Sequence, residues 1–309
     1  MAALLLTLLS GCAGDISSFM DPAGPIASAQ RTHLIRVVAI TMVAILPVLL
    51  LVPLLIWRYR YRNTARYAPD WGFSRPLEFL MWGVPVAIVA VLAVQLWAST
   101  RALDPYKPID LAQAQLKVQV IGLDWKWLFI YPDLGIASVG EMAFPAEQPV
   151  ALELTTDTVM QSFMIGALAG QVYTMPGMET QLHILAHQPG TFQGQNMQYN
   201  GDGFAQQKFD AVAMIPADFA DWVARVRADG VPLDTGSYAT LAQRTTKAAA
   251  HAALGTDAMP GDTLYFHPVN AGLFETVIGR YHQGQKLGPA EQPGAPGYAP
   301  PASADGGPE

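Results

Sequence analysis

Two apolar runs decide the architecture of this chain: residues 37–57 read VVAITMVAILPVLLLVPLLIW, and residues 79–98 read FLMWGVPVAIVAVLAVQLWA. Neither run contains a charged residue, and each has the length of about 20 apolar residues that crosses the hydrocarbon core of a bilayer. The prolines inside them are tolerated in membrane helices, where neighbouring groups satisfy the freed backbone atoms. The sequence therefore predicts two transmembrane spans rather than two core helices of a soluble protein.

The charges that flank these runs indicate their orientation. Four arginines follow the first run within nine residues: Arg58, Arg60, Arg62 and Arg66. Because Lys and Arg concentrate in cytoplasmic loops, residues 58–78 are predicted to be a cytoplasmic loop. Residues 12–36, and all residues after the second run, are then predicted to lie on the outer side of the membrane.

The composition of the 309-residue chain excludes several classes of protein. Hydrophobic residues make up 51% and charged residues 14%, against about 25% charged in a typical soluble domain. This composition and a net charge of -7 argue against a disordered chain or a nucleic-acid-binding protein. Cys12 is the single cysteine, which excludes intrachain disulfides, zinc ribbons and iron–sulfur clusters.

Cys12 ends a short apolar segment that closes with Leu9-Ser10-Gly11-Cys12. Small residues before a cysteine at this place resemble the lipobox of bacterial lipoproteins. That resemblance implies a signal peptide at residues 1–11, cleavage before Cys12, and a covalent diacylglycerol and an N-acyl lipid such as palmitate on Cys12. The alternative is an accidental Ser-Gly-Cys in a disordered end.

After a linker at residues 99–115, the hydrophobic pattern changes to a period of two, which is typical of half-buried strands. Turn signals such as Pro176-Gly177 and Gly201-Asp202-Gly203 separate the strand candidates. These candidates begin near Leu116, Trp125, Val150, Val159, Thr180 and Lys208. Many short strands at this spacing predict an all-β sandwich or barrel over residues 116–216.

Residues 217–286 are predicted to form a small C-terminal helical segment. Phe219, Trp222, Val223 and Val226 are spaced as one face of an amphipathic helix that stops at Gly230, and residues 237–250 suggest a second helix. Residues 287–309 are dominated by Pro, Gly and Ala, a composition that predicts a disordered tail.

Several motifs of the β-domain identify a family. They are Asp124-Trp125-Lys126-Trp127, Tyr131-Pro132-Asp133, Glu141-Met142-Ala143-Phe144-Pro145-Ala146, Gln161-Ser162-Phe163 and Tyr173-Thr174-Met175-Pro176-Gly177-Met178. Together with the order of lipobox, two spans and exported β-domain, they resemble subunit II of haem–copper respiratory oxidases from Cys12 to about Tyr281. The resemblance implies a cupredoxin-like sandwich. It also implies a structural role for Trp125-Lys126-Trp127, with one indole packed inward.

In the branch of that family that oxidises cytochrome c, subunit II carries a dinuclear copper centre bound by two thiolates, two imidazoles, a thioether and a carbonyl. At the matching positions of this chain every side-chain ligand is absent. The positions are Gln161, Asn196, Gln198, Asn200, Phe204 and Gln207. They are therefore interpreted as vestigial ligand positions that bind no metal.

Loss of the copper ligands resembles the copper-less branch, subunit II of bo-type ubiquinol oxidases. That resemblance implies a non-catalytic subunit of a proton-pumping ubiquinol oxidase in the bacterial inner membrane, without a cofactor of its own. The expected partners are a haem-bearing subunit I that holds haems and copper, smaller membrane subunits, membrane lipids, and ubiquinol as substrate of the complex; no nucleic acid is expected.

Glu78 is the candidate proton-pathway residue of this chain. It stands just before the second span, on the side predicted to be cytoplasmic, and a glutamate at this place in the family lies at the mouth of a proton pathway into subunit I. The alternative is an interfacial carboxylate that is favoured by the positive end of a helix dipole.

Two other functions remain compatible with the residues. One is a cytochrome c oxidase subunit II with an atypical metal site. The other is a structural membrane lipoprotein without any oxidase partner.

Overall fold

The structure is a computed structural model, and it describes residues 19–61, 72–110, 113–256 and 263–282. Cys12, the predicted signal peptide at residues 1–11 and the predicted tail at residues 287–309 lie outside the described residues. The chain divides into two units. One holds the chain up to Ser28 and from Pro105 onward, and the other holds Ala29–Asp104.

Two long helices account for the second unit. Helix α1 covers Pro25–Arg58 and helix α2 covers Arg75–Ala102, so the predicted spans lie inside them and both helices extend beyond the apolar runs. Their most apolar windows have mean hydropathies of 2.8 and 2.3, and both helices are long and apolar enough to cross a membrane. A hydrogen bond of 2.9 Å between His33 Nδ1 and Ser99 Oγ joins the two helices.

The first unit is built on a sandwich of two sheets, which confirms the predicted fold class. The strands are β1 (Leu116–Leu123), β2 (Lys126–Tyr131), β3 (Ile136–Val139), β4 (Glu141–Pro145), β5 (Val150–Thr156), β6 (Gln161–Ile165), β7 (Ala169–Thr174), β8 (Thr180–Ile184), β9 (Gly190–Asn196), β10 (Lys208–Met214), β11 (Val231–Leu233) and β12 (Leu264–Val269). One sheet has the order β11-β12-β3-β2-β1-β5-β8, and the other has the order β4-β10-β9-β6-β7.

Aromatic side chains fill the space between the two sheets. Phe129 and Trp127 from β2 meet Phe163 from β6 and Phe209 from β10, with ring centroids 4.8 Å apart for Phe129–Phe209 and 5.2 Å apart for Trp127–Phe163. Trp127 and Phe129 share the inner face of β2, while Leu128 and Ile130 are buried on its opposite face. Trp127 is the indole packed inward.

Most of the C-terminal segment packs on the outer face of the seven-stranded sheet, through residues such as Tyr238 and Phe274. Its first helix instead buries Trp222 and Val226 in the core between the two sheets. Its helices are α3 (Pro216–Asp229), α4 (Thr235–Ala242), α5 (Lys247–Leu254) and α6 (Leu273–Gly279), and Arg280–His282 form a final 3-10 turn. This segment differs from its prediction in two respects. Strands β11 and β12 add to the sheet edge at β3, and the helix predicted over residues 237–250 is interrupted between α4 and α5.

The first turn of α1 and the residues just before it are hydrogen-bonded to the sandwich. The backbone N–H of Ala23 donates to Ala167 O at 2.8 Å, and that of Ala27 donates to Leu168 O at 3.2 Å. Ala23 O in turn accepts from the N–H of His187 at 3.0 Å. A side chain at Gly24 would meet Leu185 O at 2.2 Å, so this close approach requires glycine.

Candidate functional site

Sheet pairing brings most of the vestigial ligand positions to one end of the sandwich. Gln161 begins β6 and Asn196 ends β9, and these strands are neighbours because Phe163 pairs with Asn196. The chain then forms a loop, a 3-10 turn at Phe204–Gln206 and, through Gln207, enters β10 next to β9. A site at this place therefore draws on residues from two separated stretches of the sequence.

Gln207 is the centre of a buried network of side-chain amides. Its Oε1 accepts hydrogen bonds from Asn196 Nδ2 at 3.0 Å and from Asn200 Nδ2 at 2.8 Å. Its Nε2 donates to Gln161 Oε1 at 2.6 Å and to Leu123 O at 3.1 Å. Since an amide both donates and accepts, four such groups can pair with one another without introducing a charge.

The outer members of the network hold the surrounding backbone. Gln161 Nε2 donates to Leu123 O at 3.2 Å and to Thr158 Oγ1 at 3.0 Å. Asn196 Oδ1 accepts from the backbone N–H groups of Ser162 and Gln198, both at 2.9 Å. The amide network therefore ties the start of β6 to the loop that follows β9.

The structure brings together four of the six predicted positions. Gln198 contributes only its backbone N–H to the network. The ring of Phe204 instead packs on that of Tyr199, with a centroid distance of 5.7 Å.

The chemistry of these groups does not fit a dinuclear copper centre. Such a centre needs thiolate and imidazole ligands, whereas the side chains that converge here are neutral amides that hydrogen-bond to one another. Within the part of the chain that the structure describes, no group of three or more His, Cys, Asp or Glu side chains is placed to hold a metal ion.

Lys126, the first residue of β2, anchors the C-terminal segment. Its Nζ donates to Asp124 O at 2.8 Å, to Gln243 O at 3.0 Å and to Thr245 O at 2.6 Å. Burial lowers the pKa of Lys126 to about 8, with Asp124 opposing the shift. The ammonium group thus holds the residues between α4 and α5 against the start of β2.

Trp125 and Arg244 cover the loop of the amide network from outside. Arg244 lies over the Trp125 ring at 5.0 Å from its centroid, and Trp125 Nε1 donates to Asn200 O at 3.3 Å. A side chain at Gly203 would meet the Trp125 ring at 2.1 Å, so the loop approaches the indole closely. Sequence reasoning assigned Trp125 a structural role but did not identify Arg244 as its partner.

A buried carboxylate, Asp157, makes a second attachment of the C-terminal segment. Asp157 Oδ2 accepts from Tyr238 OH at 2.6 Å and from Arg280 Nη1 at 2.8 Å, and its Oδ1 accepts from Tyr281 OH at 3.1 Å. Burial raises the pKa of Asp157 to about 6, although Arg280 lowers it in part. Neither Asp157 nor Arg280 was singled out from the sequence, because their separation of 123 residues leaves no local pattern.

Glu78, the predicted proton-pathway residue, lies in the first turn of α2. Its side chain is exposed and lines an open groove of about 480 Å³, together with Arg75, Phe79 and Trp82. The groove is apolar apart from its two charged residues, so Glu78 presents a carboxylate at the edge of an apolar helix face.

Comparison with known proteins identifies relatives of this chain. The family described as "Cytochrome C oxidase subunit II, periplasmic domain" matches residues 136–208, which include Gln161, Asn196 and Gln207. The crystal structure of the periplasmic domain of subunit II of cytochrome oxidase of Bradyrhizobium japonicum is similar over 38% of this chain and 96% of that chain, with 23% identity and a TM-score of 0.35.

Full-length relatives extend the similarity to both units. The cytochrome bo(3) ubiquinol oxidase subunit 2 of Pseudomonas aeruginosa is 38% identical over 92% of this chain and 81% of that protein. The ubiquinol oxidase subunit 2 of Acetobacter aceti is 37% identical over 91% of this chain and 87% of that protein. The resemblance inferred from the motifs is thereby confirmed, and the chain belongs to the ubiquinol oxidase subunit 2 family of the haem–copper oxidases.

Proposed function

We propose that this chain is a non-catalytic subunit 2 of a proton-pumping ubiquinol oxidase in a bacterial respiratory chain. The complex transfers electrons from ubiquinol to oxygen, and the haems and copper that carry them belong to subunit I. The observation that carries the proposal is the amide network. Four neutral amides occupy the positions where the copper branch of the family has ligands, and neutral amides carry no electrons.

The missing electron relay has a mechanistic reason. A water-soluble cytochrome c reaches an oxidase from outside and needs a redox centre on the exported domain. Ubiquinol dissolves in the bilayer and reaches subunit I directly. The vestigial positions, from Gln161 to Gln207, therefore need no metal, and the chain contributes assembly, membrane anchorage and a cover on the outer side.

The hydrogen bonds of Ala23 and Ala27 support the proposed orientation in the inner membrane. They join the start of α1 and the residues just before it to a loop of the β-domain, so these two parts of the chain lie on one side of any membrane. The chain must then cross the membrane an even number of times between these two parts. The two helices α1 and α2 meet this condition. With Arg58 and Arg60 on the cytoplasmic side, both parts are exported, as a lipid on Cys12 after removal of residues 1–11 requires.

Glu78 is proposed to admit protons to subunit I from the cytoplasm. Its exposed carboxylate stands at the end of α2 that carries Arg75 and faces the cytoplasmic loop. A protonatable side chain at the edge of an apolar helix face is a reasonable first acceptor in a path through the membrane.

Oxygen uptake by the purified complex tests the proposal. The tagged chain is solubilised in mild detergent, purified, and offered either ubiquinol or reduced cytochrome c. Haem should co-purify with the chain, and oxygen should be consumed with ubiquinol alone. Uptake with cytochrome c would favour the cytochrome c oxidase alternative, and the absence of co-purifying haem would favour a structural lipoprotein.

A further inference from the structure

The end of α1 that leads into the predicted cytoplasmic loop alternates aromatic and basic residues. Residues 57–61 read Trp-Arg-Tyr-Arg-Tyr. The three aromatic side chains are 59%, 64% and 101% exposed, in chain order, and Arg58 and Arg60 are exposed as well. No Asp or Glu occurs in the sequence between Asp21 and Asp70. The end of this helix therefore presents a surface that is both aromatic and positively charged.

The length of the apolar run fixes the depth of this surface in a bilayer. Residues 37–57 lie within α1, and about 20 helical residues at about 1.5 Å each span about 30 Å, the thickness of the hydrocarbon core. Trp57 then lies at the edge of the hydrocarbon, where tryptophan and tyrosine side chains concentrate. Arg58 and Arg60 lie just beyond it, at the depth of the lipid phosphate groups.

Two contacts hold the basic groups at that depth. The guanidinium carbon of Arg60 lies over the Trp57 ring, 5.6 Å from its centroid, which is the geometry of a cation–π contact. The backbone N–H of Tyr59 donates to Leu55 O at 2.9 Å, so helical hydrogen bonding continues one residue beyond Arg58. Both arginines are therefore held next to the ring that marks the edge of the hydrocarbon.

A leucine stripe runs from Arg58 toward the middle of the membrane. Leu51, Leu54 and Leu55 precede Arg58 by seven, four and three residues, so they lie on the same side of the helix. Each of the three leucines is 51% exposed. A cationic group at the end of an apolar stripe is complementary to an amphiphile whose anionic headgroup is joined to acyl chains.

Resting on the proposed orientation of the two spans, we propose that this end of α1 binds an anionic phospholipid of the cytoplasmic leaflet. Arg58 and Arg60 bind the phosphodiester of the headgroup, because planar guanidinium groups match phosphate oxygens. The acyl chains lie along the leucine stripe. Basic clusters immediately cytoplasmic of a membrane helix are typical of anionic-lipid binding. Orientation alone requires positive charge, and it gives no reason for the interleaved aromatic residues.

A photo-cross-linking amino acid in place of Tyr59 tests the proposal, because this residue lies between the two arginines. The purified complex is freed of native lipid in mild detergent, mixed with phosphatidylglycerol below saturation and illuminated. Lipid adducts on this chain are then measured by mass spectrometry, and haem content shows that each variant is assembled. Adding Arg58→Gln and Arg60→Gln should lower the adduct yield by about 25-fold, since each arginine near an anionic lipid surface contributes a factor of about five.

Matched comparisons separate this site from general contact with lipid. Arg101 also lies over a tryptophan, 4.4 Å from the Trp97 ring, but in the last turn of α2. Arg101→Gln should therefore leave the adduct yield at position 59 unchanged. Phosphatidylcholine, whose headgroup has no net charge, and glycerol phosphate, which has no acyl chains, should each give at least tenfold less adduct than phosphatidylglycerol.

Three results would overturn the proposal. They are equal yields in the double variant and in Arg101→Gln, equal yields with phosphatidylglycerol and phosphatidylcholine, and cross-links from position 59 to an acidic loop of another subunit in place of lipid. The orientation on which the proposal rests is measured separately with Tyr59→Cys. A membrane-impermeant thiol reagent should leave this cysteine unlabelled in intact spheroplasts, and labelling would overturn the orientation and with it the leaflet of the lipid.

Discussion

Asp157 and Arg280 form a buried ion pair, in which Arg280 Nη1 lies 2.8 Å from Asp157 Oδ2 and the side chains are 0% and 5% exposed. Asp157 belongs to the turn between β5 and β6, and Arg280 begins the last turn of the described chain. Tyr238 from α4 donates to the same carboxylate oxygen. One buried carboxylate therefore holds two parts of the C-terminal segment against the sandwich.

Arg280→Met should loosen the C-terminal segment. The substitution leaves the Asp157 carboxylate buried without its counter-ion, a change that typically costs about 3–5 kcal/mol. Hydrogen exchange of the α4 amides in the full chain measures the loss. The double variant Arg280→Met with Asp157→Asn removes the buried charge as well and should recover most of the protection, so equal exchange in the single and double variants would contradict the ion-pair account.

The pH dependence of the same attachment follows from the raised pKa of Asp157. Burial moves the pKa from 3.8 to about 6, so the folded chain keeps a proton on Asp157 where the unfolded chain has released it. The stabilisation that the folded chain gains by holding this proton is fully present below a pH of about 4 and is lost as the pH rises through about 6. The free energy of unfolding then falls by about 3 kcal/mol. The free energy of unfolding, measured across this range, should fall in the wild type relative to Asp157→Asn, and parallel curves for the two proteins would refute the assignment.

Lys126→Met should release the residues between α4 and α5 from the start of β2. Three carbonyl groups, those of Asp124, Gln243 and Thr245, would lose their shared donor inside the protein, and buried acceptors without partners cost about 1–3 kcal/mol each. Limited proteolysis between α4 and α5 should become faster. Lys117→Met is the matched control, because its ion pair with Glu153 at 2.8 Å is partly exposed and worth at most about 1 kcal/mol.

The parts of this fold that depend on local periodicity were predictable from sequence. The apolar runs around Pro47 and Pro85 lie in α1 and α2, and the alternation from Leu116 onward lies in β1. Each pattern lies within a single helix or strand, so a short window of neighbouring residues is enough to detect it. The amide network was predictable in position, because the resemblance aligned Gln161 and Gln207 with ligands, but its hydrogen bonds were not.

The contacts of the C-terminal segment were not predictable in the same way. Lys126 meets Thr245 across 119 residues, and Asp157 meets Tyr238 across 81 residues. A single charged residue leaves no periodic pattern in the sequence, and the partner of a buried lysine or aspartate is set by tertiary packing alone. Strand β12 was missed for a related reason, since its aromatic residues Tyr265 and Phe266 also suit a helix face.

Restoring the ligand types at the vestigial positions should create a copper site. The variant carries Gln161→His, Asn196→Cys, Asn200→Cys, Phe204→His and Gln207→Met in the full chain. Thiolates bind copper strongly, and bound metal should recover the stability that is lost with the amide network. Metal content and thiolate-to-copper absorption measure the outcome. The control has serine in place of both new cysteines and should bind no copper, and equal binding by the two proteins would show that these positions do not form the site.

Glu78→Ala should slow oxygen reduction by the complex while haem content and assembly stay at the wild-type level. The substitution removes the carboxylate in the first turn of α2, and if this carboxylate is the proposed proton acceptor on the cytoplasmic side, protons then reach subunit I more slowly. Glu78→Asp keeps a protonatable group one methylene shorter and should retain much of the turnover. A purely interfacial role, supported by the helix dipole, predicts a different pattern: Glu78→Ala would then cost about 0.3–1 kcal/mol of helix stability and leave turnover with ubiquinol unchanged. Turnover measured together with haem content separates the two roles, because only a proton-pathway residue slows the reaction in a fully assembled complex.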